Sequence, residues 1–293
     1  MNKKIICYGE IVWDALPRSL YLGGAPLNVA AHLAKLNVPV SMVSRIGEDV
    51  LGEEVIRNMV NEGLDISLIQ RDPELNTGFV QVEMNKEMPS YEIVSPSAWD
   101  HIVYSDDLQN VVDESYALVY GTLSQRSRSS RETLQKLWQT PCLKILDVNL
   151  RPPYVDKEHV SASLQAANIV KLNEDEFAQI QTWFELADQT EPAVRELAVQ
   201  FSCDTVCLTM GAEGSLLLHE DIITQQPGIE VTPVDTIGAG DSFLAALISG
   251  LMEGKTGQQA MEQADKLAAY VATQSGAVPD YNPDKIFRMD KIN

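Results

Sequence analysis

Apolar residues along this chain recur with two different periods. Short runs rich in β-branched residues alternate with longer stretches in which apolar residues return every three or four positions. The short runs predict buried strands, and the longer stretches predict amphipathic helices. Strands are predicted at residues 5–10, 40–46, 116–122, 144–150, 168–173, 205–210 and 214–220. Helices are predicted at residues 26–37, 51–64, 129–140, 174–187, 240–254 and 257–275. Because strands alternate with helices, we predict an α/β fold, in which helices cover both faces of a mostly parallel central sheet.

Two stretches depart from this alternation. Residues 11–24 and 76–102 alternate apolar and polar positions over short distances, carry turn residues, and have no helical period. We interpret them as antiparallel strands that form a flap or a small accessory sheet. The chain shows neither an internal repeat nor a low-complexity linker. We therefore predict a single domain over residues 1–293 that carries a β lid.

The composition of the chain limits the classes of molecule that the protein is expected to bind. The net charge of −20, from 42 acidic and 22 basic residues, argues against a general affinity for nucleic acid or for an anionic membrane. No apolar run approaches the ~18 residues that a membrane span needs, and we expect a cytoplasmic protein. The four cysteines form no CxxC pair and lie in or beside apolar runs, so we expect them to be reduced: Cys7, Cys142, Cys203 and Cys207. The four histidines have no metal-ligand spacing, and we expect ordinary surface or core residues.

The segment DTIGAGDSFLAALISGL, residues 235–251, predicts an anion site at the start of a helix. Gly238, Ala239 and Gly240 leave their backbone amides open to close approach. The helix that follows directs the positive end of its dipole at the same point, which suits phosphate above all. The carboxylate of Asp241 would repel such an anion, so it needs another task, such as accepting a proton.

Two further glycine-containing segments allow more than one interpretation. In LGGAPLNVA, Gly24 permits close backbone approach, and Asn28 lies at the start of a helix, where it could cap the helix or turn toward a ligand. The segment TMGAEGS, residues 209–215, could be a plain hairpin turn, or it could pass close to a flat or phosphorylated ligand. Both alternatives stay open for each segment.

Polar residues follow two of the predicted central strands. In DVNLRPPY, Asp147, Asn149 and Arg151 alternate at the end of a buried strand, so we expect them to project to one side of the pleat. Such a row suits a hydroxyl-rich ligand or a hydrated metal, although an ordinary polar strand exit has the same pattern. Asn173 and Glu176 follow the next strand with the spacing of a capping box.

Taken together, these segments resemble the ribokinase-like, or PfkB, family of carbohydrate kinases, and within it the bacterial fructokinases. The two signatures are GGAPLNVA at residues 23–30 and DTIGAGDSF at residues 235–243, and the segments DVNLRPPY and SAWDHI are similar to those of fructokinases. The resemblance runs from about Ile5 to Pro279. It implies a ribokinase-like three-layer α/β/α domain with a small β-sheet lid. The implied reaction is transfer of the γ-phosphoryl group of ATP to a hydroxyl of a free sugar, most like D-fructose.

The resemblance also implies a role for each candidate site residue. Asp241 would act as the base, and the amides of Gly238, Ala239 and Gly240 would form an anion hole for the transferring phosphoryl group. The implied sugar-binding residues are Asp14, Gly24, Asn28, Asn149 and Arg151. The residues implied to border the nucleotide are Asn173, Thr209, Gly211 and Gly214. The implied metal sites are Asn173 with Glu176 for Mg²⁺, held through water, and Asp235 for a monovalent cation such as K⁺.

Closure of the lid over the sugar, and pairing of two lids in a homodimer, are further implications. A phosphorylated sugar would need extra cations, for which the sugar-side segments offer Arg18, Arg45 and Arg151. Ribose, 2-keto-3-deoxygluconate and a nucleoside also stay open, because the choice of sugar depends on lid side chains. A non-catalytic sugar- or nucleotide-binding regulator is a different class of alternative, and the intact Gly-Ala-Gly-Asp segment argues against it.

Overall fold

A nine-stranded sheet forms the centre of the computed structural model, which describes residues 4–16, 19–85, 88–289 and 292. The strands are β1 (Ile5–Tyr8), β2 (Val12–Leu16), β3 (Ser19–Gly23), β4 (Val40–Gly47), β5 (Ile69–Asp72), β6 (Gly78–Asn85), β7 (Met88–Ile93), β8 (Ala117–Gly121), β9 (Leu143–Asp147), β10 (Ile169–Asn173), β11 (Thr205–Thr209), β12 (Gly214–His219) and β13 (Ile222–Pro227). The helices are α1 (Ala25–Lys35), α2 (Val50–Asn61), α3 (Asp106–Asp113), α4 (Arg128–Leu137), α5 (Lys157–Ala166), α6 (Glu174–Phe184), α7 (Thr190–Phe201), α8 (Ala239–Met252), α9 (Gly257–Ala272) and α10 (Pro283–Phe287). None of these helices is long and apolar enough to cross a bilayer.

The order of strands in the large sheet is β13-β12-β11-β10-β9-β8-β1-β4-β5. Every neighbouring pair from β11 to β5 is parallel, and β12 is antiparallel to both of its neighbours. Each strand predicted for this sheet is present, with ends that differ by a few residues. The edge strands β5 and β13 were not predicted, because the segments IQRD and IITQQP are too polar to show a buried-strand pattern.

Helices cover both faces of this sheet, which confirms the predicted three-layer arrangement. Successive residues of β1 illustrate the two faces: Ile6 and Tyr8 pack in the cluster formed with α3 to α7, whereas Ile5 and Cys7 pack in the cluster formed with α1, α2 and α8. A third cluster joins α8 to α9. All four cysteines are buried and free, as expected.

A separate four-stranded sheet has the order β3-β2-β6-β7. It confirms the predicted accessory sheet, but its two central strands, β2 and β6, pair in parallel rather than antiparallel. The chain passes through α1, β4, α2 and β5 between these two strands, and so long a crossover is what a parallel pair requires. The predicted lid positions 17, 18, 86 and 87, which include Arg18, lie outside the described residues.

The last part of the predicted lid joins the small sheet to the rest of the protein, because Trp99 packs with Val12 of β2 and Val80 of β6. Residues Ala98–His101 form a 3₁₀ helix, although no helix was predicted there, and Trp99 is fully buried. Arg126 donates hydrogen bonds to both carboxylate oxygens of Asp100 at 2.8 Å and to the carbonyl oxygens of Ile93 and Val94. These contacts fix the end of β7 to the segment that leads into α4.

Candidate active site

The predicted anion site lies at the N-terminus of α8, at the same edge of the large sheet as the carboxyl ends of its parallel strands. Gly238 occupies the cap position with φ of 79°. A Cβ atom at this position would lie 2.4 Å from the carbonyl oxygen of Ala277. Only glycine fits both the positive φ and the close approach of the Ala277 backbone. The amides that follow belong to the first turn of α8, where a helix leaves donors without partners inside the helix; that of Ala239 makes a long bond, 3.3 Å, to the carbonyl oxygen of Thr236.

Asp241 lies in this first turn and is held by a residue from the other end of the chain. The side-chain amide of Asn28 donates to Asp241 Oδ2 at 2.8 Å. Asn28 therefore turns toward Asp241, and the start of α1 has no side-chain cap. This contact brings the two glycine-rich signature segments together.

The pKa of Asp241 is raised from its usual value to about 6. Burial is the main cause, and the negative charge of Asp147 adds to it. The positive charge of Lys171 and the hydrogen bond from Asn28 act in the opposite direction. The carboxylate is therefore ionised at neutral pH, yet it is a stronger base than an ordinary aspartate, as a proton acceptor should be.

A buried ion pair lies beside the anion site. Lys171 Nζ donates to the two carboxylate oxygens of Asp147 at 3.0 and 3.3 Å, and the two side chains are 8% and 6% exposed. A Cβ atom on Gly240 would lie 3.0 Å from Lys171 Nζ, so the ammonium group is adjacent to the predicted anion site. Burial lowers the pKa of Lys171, but nearby carboxylates, Asp147 first, more than offset this and raise it above its usual value. The site therefore keeps a fixed positive charge.

Lys171 was not among the predicted site residues. The sequence did carry a signal, because a lone lysine inside the apolar run NIVKLN must find a carboxylate partner if the strand is buried. The partner comes from the adjacent strand, where Asp147 of β9 is directly opposite Lys171 of β10.

Asn173 and Glu176 form the predicted capping box at the start of α6. Glu176 Oε2 accepts a hydrogen bond from the backbone amide of Asn173, and Glu176 Oε1 accepts one from the amide of Leu150, each at 2.9 Å. Glu176 is 4% exposed, and burial, together with the charge of Asp147, raises its pKa. Its carboxylate therefore ties the exit of β9 to the start of α6.

The sugar-side candidates come from three segments that the fold brings close together. Gly24 has φ of 113°, and a Cβ atom there would lie 2.4 Å from the carbonyl oxygen of Glu10. Asp14 lies on β2 of the small sheet, and burial raises its pKa. The positive charge of Arg151 lowers the pKa of both Asp14 and Asp241.

The expectation that Asp147, Asn149 and Arg151 project from one pleated strand is wrong. Strand β9 ends at Asp147, and Asn149 adopts a left-handed conformation with φ of 40°. The regular alternation stops where the chain turns, so Asp147 pairs with Lys171 while Arg151 is exposed.

Glu10 is a second residue of this region that was not predicted. It lies two residues after the end of β1 and is 3% exposed. Burial raises its pKa to about 7, and one carboxylate oxygen, Oε2, has no hydrogen-bond partner among the described residues. The available signal was a glutamate placed immediately after the apolar run IICYG.

The remaining candidates, for the nucleotide and for the monovalent cation, lie at the turn between β11 and β12 and in the loop before α8. Thr209 ends β11, and Gly211 and Gly214 flank the 3₁₀ turn that leads into β12, so the predicted hairpin turn is present. Asp235 accepts hydrogen bonds from the amides of Ile237 at 3.0 Å and Gly276 at 3.2 Å. It thereby joins the loop before the anion site to the segment after α9. Among the described side chains, no three His, Cys, Asp or Glu residues form a metal-binding group.

Comparisons with known proteins identify the family of this chain. A family model described as pfkB family carbohydrate kinase matches residues 2–285. A putative sugar kinase of Pyrococcus horikoshii is 30% identical over 242 residues, which is 80% of this chain and 74% of that protein. A fructokinase of Escherichia coli is 29% identical over 293 residues, covering 95% of this chain and 93% of that protein.

Solved structures extend the comparison. The P. horikoshii sugar kinase in complex with ATP is 26% identical, with a TM-score of 0.80 over 98% of each chain. A double mutant of the fructokinase from Vibrio cholerae O395, in a form with bound fructose, ADP and potassium ion, is 22% identical. Its TM-score is 0.79 over 94% of each chain, which shows that the fold is shared.

Proposed function

The chain belongs to the pfkB family of carbohydrate kinases, and on this premise we propose that it transfers the γ-phosphoryl group of ATP to a hydroxyl of D-fructose. The observation that carries the proposal is the position of Asp241. A carboxylate whose pKa is about 6 lies in the first turn of the helix that presents the anion-binding amides. A base and an anion site in contact are what phosphoryl transfer to a hydroxyl requires.

In this proposal Asp241 orients the sugar hydroxyl and accepts its proton, while Asn28 holds the carboxylate in place. The amides of Gly238, Ala239 and Gly240 bind the transferring phosphoryl group, and Lys171 adds a positive charge beside them. Arrival of the proton on Asp241 also removes the repulsion between its carboxylate and the incoming phosphoryl oxygens.

The sugar would lie between the small sheet and the carboxyl ends of the central strands. Asp14 can accept hydrogen bonds from sugar hydroxyls and Arg151 can donate to them, and Gly24 and Asn149 complete the proposed sugar site. Similarity to the E. coli fructokinase over most of both chains supports fructose as the acceptor. The small sheet would act as the lid that excludes water, which would otherwise compete with the sugar as acceptor.

For the nucleotide, we propose contacts from Thr209, Gly211 and Gly214, and from Asn173 at the start of α6. Asn173 and Glu176 carry the oxygen ligands that Mg²⁺ prefers, but these oxygens already accept hydrogen bonds from backbone amides, which favours contact with the ion through water. Bound Mg²⁺ would reduce the charge on the phosphate oxygens. Asp235 is the proposed residue for a monovalent cation, and the V. cholerae fructokinase supports K⁺ as that ion.

The small sheet has an exposed edge that suggests how two copies of the protein could pair. Its edge strand β3 exposes two large side chains, Leu20 at 42% and Tyr21 at 41%. We propose that two lids pair in a homodimer and cover this edge.

Four free, buried cysteines fit a reducing compartment, and we propose the cytoplasm.

Fructose is expected to give the highest kcat/KM when the purified protein is assayed for ATP consumption with Mg²⁺ and K⁺. The panel is fructose, ribose, 2-keto-3-deoxygluconate, fructose 6-phosphate and adenosine. Preference for another acceptor would replace the proposed substrate and keep the kinase. No turnover on any of these acceptors would contradict the proposed function and favour a binding protein.

Activity is expected to fall as the pH drops through about 6, because protonated Asp241 cannot accept the hydroxyl proton. The measurement is kcat/KM for the sugar as a function of pH, which reports the ionisation of the free enzyme. A profile that stays flat from neutral pH to well below 6 would contradict the assignment of Asp241 as the base.

A further inference from the structure

His32 makes contacts that the proposed mechanism does not yet use. It lies on α1, fully buried, one helical turn after Asn28. Its Nε2 is 2.9 Å from the carbonyl oxygen of Ala277, and its Nδ1 is 2.8 Å from the hydroxyl of Tyr281. The imidazole also stacks on the ring of Tyr281, with centroids 5.7 Å apart. Both ring nitrogens therefore contact the segment that follows α9.

The chemistry of these partners fixes the tautomer of His32. A carbonyl oxygen only accepts hydrogen bonds, so Nε2 must carry the proton and donate to Ala277. Nδ1 is then unprotonated and accepts from the hydroxyl of Tyr281. Burial lowers the pKa of His32 to about 4, so the ring is neutral at physiological pH.

Ala277 in turn lies directly against the anion site. A Cβ atom on Gly238 would lie within 2.8 Å of the Cα, Cβ and carbonyl oxygen of Ala277. Next to it, the amide of Gly276 donates to Asp235. Helix α1 therefore contacts the start of α8 in two ways. Asn28 donates to Asp241 directly, and His32 bonds Ala277, which packs against Gly238.

We propose that His32 is a positioning residue for phosphoryl transfer. Its hydrogen bond to Ala277 holds the segment 274–281 against Gly238, and this sets the three anion-binding amides relative to Asp241. The inference rests on the proposed kinase function, because the atoms that His32 positions are those assigned to the phosphoryl group. It concerns the chemical step rather than the affinity for sugar.

Two variants of His32 separate the two hydrogen bonds. His32→Gln keeps an N–H donor near the position of Nε2, whereas His32→Asn keeps a polar group near Nδ1 and loses the donor to Ala277. We expect His32→Asn to lower kcat by up to about 100-fold, the scale of a displacement of about 1 Å at a reacting centre. We expect His32→Gln to retain most of kcat, and the sugar KM to stay unchanged in both variants.

Lys35 provides the matched control on the same helix. Its ammonium group binds Asp280 at 3.1 Å, so it ties α1 to the same segment without touching Ala277. Lys35→Gln should leave kcat unchanged. Thermal unfolding of all three variants shows whether stability explains the result, since each of the His32 variants loses one hydrogen bond.

The outcomes distinguish this inference from the proposed function. If the wild type phosphorylates sugar and the Asn and Gln variants lose kcat equally, or change only the sugar KM, then His32 does not position the anion site. If the wild type phosphorylates no acceptor, the proposed function fails, and NMR decides the structural claim. The Gly238 amide resonance should shift in His32→Asn and not in His32→Gln.

One NMR measurement needs no variant at all. The imidazole nitrogen shifts of the wild-type protein should show the neutral tautomer with the proton on Nε2. A neutral ring with the proton on Nδ1 would overturn the proposal even if neither variant folds.

Discussion

Replacing Asp241 by asparagine should lower kcat by at least the roughly 10²–10⁴-fold that a positioned base contributes. The amide is the same size as the carboxylate and can still accept the hydrogen bond from Asn28. It cannot accept a proton, so the loss should appear in kcat and leave sugar binding largely intact. Steady-state kinetics and calorimetric titration with fructose check the two expectations.

The pH profile of this variant tests the assignment further. The residual rate of Asp241→Asn should no longer fall as the pH drops through about 6, because the ionisation that causes the fall has been removed. Asp107→Asn, an exposed position on α3, is the control and should behave as the wild type. Unchanged turnover in Asp241→Asn would overturn the proposed mechanism.

Replacing Lys171 by methionine should lower the free energy of unfolding by about 3–5 kcal/mol, the cost of removing one partner from a buried ion pair. The pair with Asp147 is almost fully buried, and Glu176 and Asp241 share the same ammonium group. Without it, the repulsion of Asp147 with Glu176 and with Asp241 has no buried positive charge to offset it. The destabilisation should be larger above neutral pH than in mild acid, where protonation relieves their repulsion. Denaturant unfolding at several pH values measures this.

Lys171→Met should also move the acid limb of activity to higher pH. The charge of Lys171 lowers the pKa of Asp241, so its removal leaves the base protonated at a pH where the wild type is active. Lys4→Met is the control for stability, because its ion pair with Asp65 is partly exposed and should contribute at most about 1 kcal/mol. An equal loss of unfolding free energy in Lys171→Met and Lys4→Met would show that the buried ion pair contributes no more to stability than the partly exposed one.

The glycine-capped start of α8 and the central strands could be predicted because their signals are local. A glycine-rich loop that leads into an apolar helix specifies its own geometry, and the buried strands carry apolar runs that no other element explains. Asp241 was predicted for the same reason, since it is adjacent to that loop in sequence. The polar edge strands β5 and β13 carry no such run, and they pair only because the sheet offers them an edge.

The remaining site residues depend on the register and packing of distant elements. Asp147 pairs with Lys171 because β9 and β10 align them, and a single sequence does not give that alignment. His32 was expected to be an ordinary residue, and its contact with Ala277 exists only because the segment after α9 returns to α1. In both cases the residue type indicates a need for partners, while the fold decides which partners it receives.

The hydrogen bond between Asn28 and Asp241 joins positions 213 residues apart, and this separation has a consequence for synthesis on the ribosome. Chains emerge N-terminus first, so the residues proposed to hold the sugar leave the exit tunnel well before α8. Until α8 emerges, the nascent polypeptide contains neither the proposed base nor the amides proposed to bind the phosphoryl group. It cannot hydrolyse ATP wastefully while the sheet is incomplete, and catalytic competence arises only when the last fifth of the chain docks against the first.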